Sequence, residues 1–140
     1  MTDRKDKSPP THQAIAPGII LFAHGARDPR WAEPFVRVAE RVRSAAPDRS
    51  IELAYLEFLE PNLPEAARRL AASGATVIRV VPLFFGRGGH LRNAVPRLIA
   101  ETAREMPGVE LALGDAAGED AAVIEAIVAF CLRAAGKADL

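Results

Sequence analysis

Two histidines each stand just past a short apolar run that leads into glycine-bearing sequence. The segments are Gly18-Ile19-Ile20-Leu21-Phe22-Ala23-His24-Gly25 and Val77-Ile78-Arg79-Val80-Val81-Pro82-Leu83-Phe84-Phe85-Gly86-Arg87-Gly88-Gly89-His90. Imidazole is the commonest protein metal ligand and the side chain that titrates near neutral pH, so two of them sharing one crevice imply metal or proton chemistry. Either histidine alone reads equally well as a hydrogen-bonded loop residue; their matching positions favour a shared site. Glu57 follows a further apolar run, Ile51 to Tyr55, and adds a carboxylate. Near two imidazoles it serves as a third ligand, a proton acceptor or the partner that fixes a histidine tautomer, the alternative being an exposed strand-end glutamate. Glu60 reads instead as a helix-start charge favoured by the macrodipole.

Around these residues lie groups suited to an anionic ligand. Arg27, Arg30, Arg87 and Arg92 fall in or just after the two histidine loops. Forked guanidinium groups match carboxylates, although solvated surface charge explains such residues too. Gly86, Gly88 and Gly89 let a backbone approach a bulky ligand or take positive φ. Their spacing fits neither the dinucleotide fingerprint nor the phosphate loop with its lysine, so nucleotide binding is poorly supported.

These loops need elements to carry them. Apolar, β-branched runs bounded by turn residues read as buried strands of a parallel sheet, expected at Gly18–Ala23, Ile51–Tyr55, Thr76–Leu83 and Val109–Leu113. Between them, Asp28-Pro29 opens a helix whose Trp31, Phe35, Val38 and Val42 recur at helical spacing until Pro47. Pro61 and Pro64 introduce a second helix closed by Gly74, a third is expected from about His90 to Met106 with Pro96 near its start or at a kink, and a fourth from about Glu119 to Ala135. Val123, Ile124, Ile127, Val128 and Cys131 form apolar stripes on that last helix. Right-handed crossovers then give a four-stranded parallel sheet in order 2-1-3-4 with helices on both faces, a flavodoxin-like half. Strands one and three become neighbours, and His24, His90 and Glu57 share the carboxyl edge, where α/β sheets bind ligands.

Composition narrows the function further. The chain has 140 residues, and 18 basic residues balance 18 acidic ones, so no overall field recruits nucleic acid or an anionic membrane. One cysteine, Cys131, excludes an internal disulfide and a cysteine-rich metal site within one chain. Residues 1–17, including His12, read as a flexible charged tail and residues 18–140 as one domain. With no apolar stretch near the roughly 20 residues a bilayer span requires, the expectation is a cytoplasmic protein without a membrane segment.

His24-Gly25-Ala26-Arg27-Asp28-Pro29 resembles the HGSRDP-type motif of the small sirohydrochlorin chelatases, and Pro82-Leu83-Phe84-Phe85-Gly86-Arg87-Gly88-Gly89-His90 resembles their PLFL-x-x-GGH segment. The two motifs flank Tyr55-Leu56-Glu57-Phe58-Leu59-Glu60-Pro61 in the family's order, and the resemblance runs from about Gly18 to Ala135. It implies a chelatase-like fold and an ATP-independent lyase that inserts Co²⁺ or Fe²⁺, in some members Ni²⁺, into sirohydrochlorin in cobalamin- or siroheme-type biosynthesis. No permanent cofactor is implied, the metal being a substrate. His24 and His90 fall on the family's metal-binding histidines, and Glu57 near the glutamate of related two-domain members. Arg27, Arg30, Arg87, Arg92, Gly88 and Gly89 would then face the substrate, with Leu83, Phe84, Phe85 and Leu91 as apolar contacts to its ring. Short single-domain members form homodimers, so a second copy is the expected protein partner. The chain departs from the family at Ala94, where an aspartate is common; a carrier of metal or tetrapyrrole without turnover is the alternative this departure favours.

Overall fold

The computed structural model describes residues 17–86 and 88–138, apart from the side chains of His90, Lys137 and Ala138. All of the expected tail except Pro17 lies outside the described residues, and so does Arg87. Four strands, β1 (Gly18–Ala23), β2 (Ile51–Tyr55), β3 (Val77–Pro82) and β4 (Glu110–Leu113), form one sheet in the order β2-β1-β3-β4. Every pairing is parallel. The order is the expected one, and β1 explains why the pattern was readable. A strand buried on both faces needs an unbroken apolar run, and Ile20, Phe22 and Ala23 are completely buried with Leu21 nearly so.

The two faces of the sheet are covered differently. Ile20, Phe22, Ile78 and Val80 pack on one side against Leu63, Ala66, Ala67 and Leu70 of α2 (Leu63–Ala72) and Val95 and Ile99 of α3 (Gly89–Arg104). The alanines let α2 approach closely, and each fully buried Ile, Leu or Phe contributes about 1.5–3 kcal/mol. On the other side Leu21 and Ile51 meet Ala39 of α1 (Glu33–Ala45). Val42 packs there as expected, whereas Val38 is 41% exposed and Ala39 takes the contact in its place. Asp28 caps the 3-10 turn Pro29–Ala32 that precedes α1, and Trp31 of that turn meets Phe35 with ring centroids 4.6 Å apart. Within α1, Val38 lies at the edge of the stripe that Phe35, Ala39 and Val42 centre, so it stays outward.

Local start and stop signals set the remaining elements. Asn62 caps α2 through a reciprocal pair with Glu65, and Gly74, at φ +106°, ends it. The first-turn carboxylate is therefore Glu65, whereas Glu60 lies before the helix in an exposed loop, contrary to expectation. Gly88 is the N-cap of α3, and Pro96 sits inside that helix beside the fully buried Val95. Asp120 accepts hydrogen bonds from the Ala122 and Val123 amides and starts α4 (Ala121–Ala138). The apolar stripes of α4 are only partly used: Val123 and Ile127 are half-buried, while Ile124, Val128, Phe130 and Leu132 are exposed, as is Cys131. No described helix is long and apolar enough to cross a membrane.

Candidate active site at the carboxyl edge of the sheet

His24 is the first residue past β1, and its backbone continues the ladder to the chain leaving β2. Leu56 donates its amide hydrogen to the Ala23 carbonyl at 2.9 Å and Glu57 donates to the His24 carbonyl at 3.0 Å. The parallel pairing thus extends beyond both strands and brings the side chains of His24 and Glu57 together. Nε2 of His24 lies 3.0 Å from Oε2 of Glu57. A carboxylate only accepts, so Nε2 carries the hydrogen, which leaves the neutral ring's lone pair on Nδ1. Both side chains are close to half exposed, at 45% and 47%. The ring of Phe84 meets the imidazole edge to face at 6.1 Å and supports it from the core.

Gly25 makes this register possible. It holds φ +97°, and a Cβ placed on it would stand 1.8 Å from the Glu57 carbonyl oxygen. Only glycine serves there, on both counts. The turn after Glu57 is equally constrained: Leu59 donates to the Glu57 carbonyl at 2.9 Å around Phe58, which has φ +71°. This is a γ-turn of the positive-φ kind, rare and strained for a non-glycine residue. It presents the Phe58 ring, 53% exposed, beneath the Arg27 guanidinium at 4.6 Å. A depression of about 360 Å³ is lined here by Tyr55, Leu56, Glu57 and Phe58, among others. A larger one, about 850 Å³, is lined by α1 side chains alone and holds none of the expected site residues.

His90 is the second residue of α3, which follows β3, the neighbour of β1. Its backbone therefore belongs to the same sheet edge as His24, while its side chain lies outside the described residues. Among the described residues no group of three His, Cys, Asp or Glu side chains is placed to hold a metal ion; His24 and Glu57 form a pair. Gly86, Gly88 and Gly89 have open space where a Cβ would project, and none takes positive φ. The fold therefore does not require glycine at these positions, which leaves room for an approaching ligand. The α3 N-terminus has no side-chain cap, so its free amides and dipole favour an anion there.

The expected arginines and ring contacts separate on inspection. Arg30 spends its fork on Asp28, with contacts of 2.8 and 3.2 Å, and this pairing holds the Asp28 carboxyl below its usual range. Arg27 and Arg92 are exposed at the carboxyl edge and the α3 start. Phe84 is core, while Leu83 and Leu91 are half-buried against it, so Phe85, at 65% exposure, is the one fully open member of the expected apolar set. The open ring that sequence reading overlooked is Phe58. Its residue type gave no hint of exposure, and only the short spacing between Glu57 and the proline pair signals a tight turn. Tyr55 is buried under Trp31, and burial pushes its phenol above the ordinary value.

An imidazole–carboxylate pair and a helix start without a side-chain cap lie on one edge of a parallel sheet, the architecture of an α/β protein with its switch point between β1 and β3. The sequence pattern of the CbiX family matches residues 18–133, and the chain belongs to that family. It is 33% identical over 117 residues to the sirohydrochlorin cobaltochelatase of Saccharolobus solfataricus, covering 79% of this chain and 90% of that protein. The corresponding protein of Sulfurisphaera tokodaii is 30% identical over 108 residues, with 77% and 85% covered. A crystal structure described as a cobalamin (vitamin B12) biosynthesis CbiX protein from Marinobacter aquaeolei VT8 superimposes with TM-score 0.78 at 32% identity, over 88% of this chain and 98% of that one. SirB from Bacillus subtilis with Fe³⁺ gives 0.70 at 26% identity; there 79% of this chain covers 44% of the longer SirB.

Proposed function

We propose that this protein inserts a divalent metal ion, Co²⁺ or Fe²⁺, with Ni²⁺ the third candidate ion, into sirohydrochlorin without ATP, as a lyase of tetrapyrrole biosynthesis acting in the cytoplasm. The observation that carries the reading is the His24–Glu57 pair, held at 3.0 Å on the carboxyl edge of a CbiX-family sheet. Insertion exchanges two pyrrole N–H protons for M²⁺. His24, with His90 from the neighbouring loop, delivers the ion: a neutral imidazole binds borderline divalent metals yet yields them to stronger tetrapyrrole nitrogens. Glu57 orients the imidazole and receives protons. The substrate's carboxylates meet Arg27 and Arg92 and the amides of Gly88 and Gly89, with Arg30 and Arg87 as further cations of the two histidine segments. Phe85 contacts the ring face.

One half of a two-domain chelatase offers one wall to a flat macrocycle, so the working form is a homodimer. The exposed Ile124, Val128, Phe130 and Leu132 on α4 supply an apolar surface for it. Burying at least about 1,200 Å² would make such a dimer stable. Light scattering at micromolar protein tests this, a monomer being the refuting result.

Metal-free sirohydrochlorin mixed anaerobically with Co²⁺, Fe²⁺ or Ni²⁺ and catalytic protein tests the activity by absorbance over time. Multiple turnovers above the uncatalysed rate support the enzyme. A stoichiometric change without turnover selects the carrier, the reading that Ala94 in α3 favours in place of the family's aspartate.

A further inference from the structure

The contact between Arg27 and Phe58 has no part in the His24–Glu57 pair and needs its own explanation. Arg27 and Arg30 stand on the same loop beside one acid, Asp28, yet they have different fates. Arg30 takes the carboxylate with both arms of its fork. Arg27 lays its guanidinium over the Phe58 ring, 4.6 Å from the centroid, and among the described residues no acceptor receives a hydrogen bond from it. A guanidinium held over a ring face is attracted to the π cloud without using an N–H donor in a hydrogen bond to an acceptor atom. The contact thus confines the group and leaves the fork free.

The backbone holds the ring in place at a cost. Phe58 is in the left-handed region, φ +71°, inside a γ-turn directly after Glu57, and its ring is more than half exposed. Neither strain nor exposure of a large apolar ring is explained by core packing, since the ring belongs to none of the buried clusters. The turn begins at the residue whose carboxylate meets His24, so the stacked guanidinium stands beside the reacting pair.

We infer that Phe58 is a positioning residue for substrate recognition: its ring aims the Arg27 fork at a peripheral carboxylate of the macrocycle, setting how the ring lies over His24 and Glu57. This rests on the chelatase reading, with sirohydrochlorin as the polycarboxylate. It assigns the anchoring role to Arg27 over the already paired Arg30.

The test is a double-mutant cycle on binding of metal-free sirohydrochlorin, followed by absorbance titration, with KM and kcat measured in parallel. Arg27→Ala should weaken binding roughly tenfold, as expected for loss of one charge-assisted pair. Phe58→Ala and Phe58→Leu should each weaken it about two- to fivefold, on the dissociation constant and KM rather than on kcat, because a leucine keeps apolar bulk but offers no π face. Phe58→Trp should restore it. In the absence of Arg27, Phe58→Leu should cost nothing further. Additive losses, or a Leu variant that binds like wild type, would overturn the proposal while leaving the chelatase reading intact. Wild-type protein that neither binds nor metallates sirohydrochlorin would overturn both. Thermal melts of each variant separate a misplaced turn from a misplaced fork: a lowered melting point matching the affinity loss across Ala, Leu and Trp would assign Phe58 to the fold and sink the inference.

Discussion

The two loops that bring histidines to the carboxyl edge are built on opposite plans. The β1 loop is locked from within the sheet: ladder hydrogen bonds run past the strand ends to Leu56 and Glu57, and Gly25 packs against the Glu57 carbonyl. The β3 loop is held from outside. Gly118 donates its amide to the Phe84 carbonyl at 3.0 Å, and a Cβ on Gly118 would stand 1.6 Å from the Phe85 carbonyl oxygen. That glycine belongs to the 3-10 turn Ala117–Glu119, which leads into α4. One half of the site is therefore fixed by the sheet alone, while the other depends on a segment continuous with the most exposed helix. The His24 side of the edge is thus fixed by the sheet, and the β3 side by a turn that continues into α4.

Breaking the locked half should have the largest effect. Gly25→Ala forces an L-residue into φ +97° against the Glu57 carbonyl, and an expected loss of about 2–4 kcal/mol in urea unfolding should accompany loss of chelation. Unchanged stability would mean that the ladder beyond the strands carries no energy. Next come the side chains themselves. His24→Ala should lower metal insertion by about 100-fold or more with tetrapyrrole affinity nearly intact, and Glu57→Gln should lower kcat by about 10- to 100-fold, since the amide keeps the shape but takes no proton. Wild-type rates at subsaturating metal in both variants would show that this pair does not handle the ion.

The braced half should respond more mildly. Gly118→Ala must push the turn off the Phe84–Phe85 backbone, and about 1–3 kcal/mol is the expected cost, with KM for sirohydrochlorin raised as the β3 loop shifts. Gly89→Ala is the smallest change. Its Cβ meets nothing in the protein and it occupies the first turn of α3, so the melting point should hold or rise slightly while affinity for the macrocycle falls. A variant that is both more stable and equally tight would show that the open space beside Gly89 is not where the ligand goes.

Much of this edge was legible in the residues. Apolar runs, unbroken in β1 and interrupted only by Glu52 in β2 and Arg79 in β3, located these strands, crossover handedness ordered them, and strand ends carried His24 and Glu57 to one edge, because pattern and chain topology fix these features. What depended on phase or on pairing was not legible. Val38 lies at the edge of the α1 stripe and stays exposed while Ala39 takes the contact, and Asp28 selects Arg30 over Arg27 by a local geometry that composition does not contain. Glu60 lost its expected helix-start role to Glu65 because Asn62 set the cap further along the chain. Phe58 escaped notice because positive φ at a phenylalanine follows from tertiary fit, against local preference.

Pro96 divides the hydrogen-bond ladder of α3 in two. Lacking an amide hydrogen, it cannot bond the carbonyl of Arg92, so the helical ladder is interrupted between the turns that carry His90 and Arg92 and the stretch that ends at Arg104. Val95, completely buried beside it, pins the junction to the core. The leading turns are thereby tied to the rest of the helix by fewer hydrogen bonds than an unbroken ladder would give, so their amide hydrogens should exchange with solvent faster than those nearer Arg104.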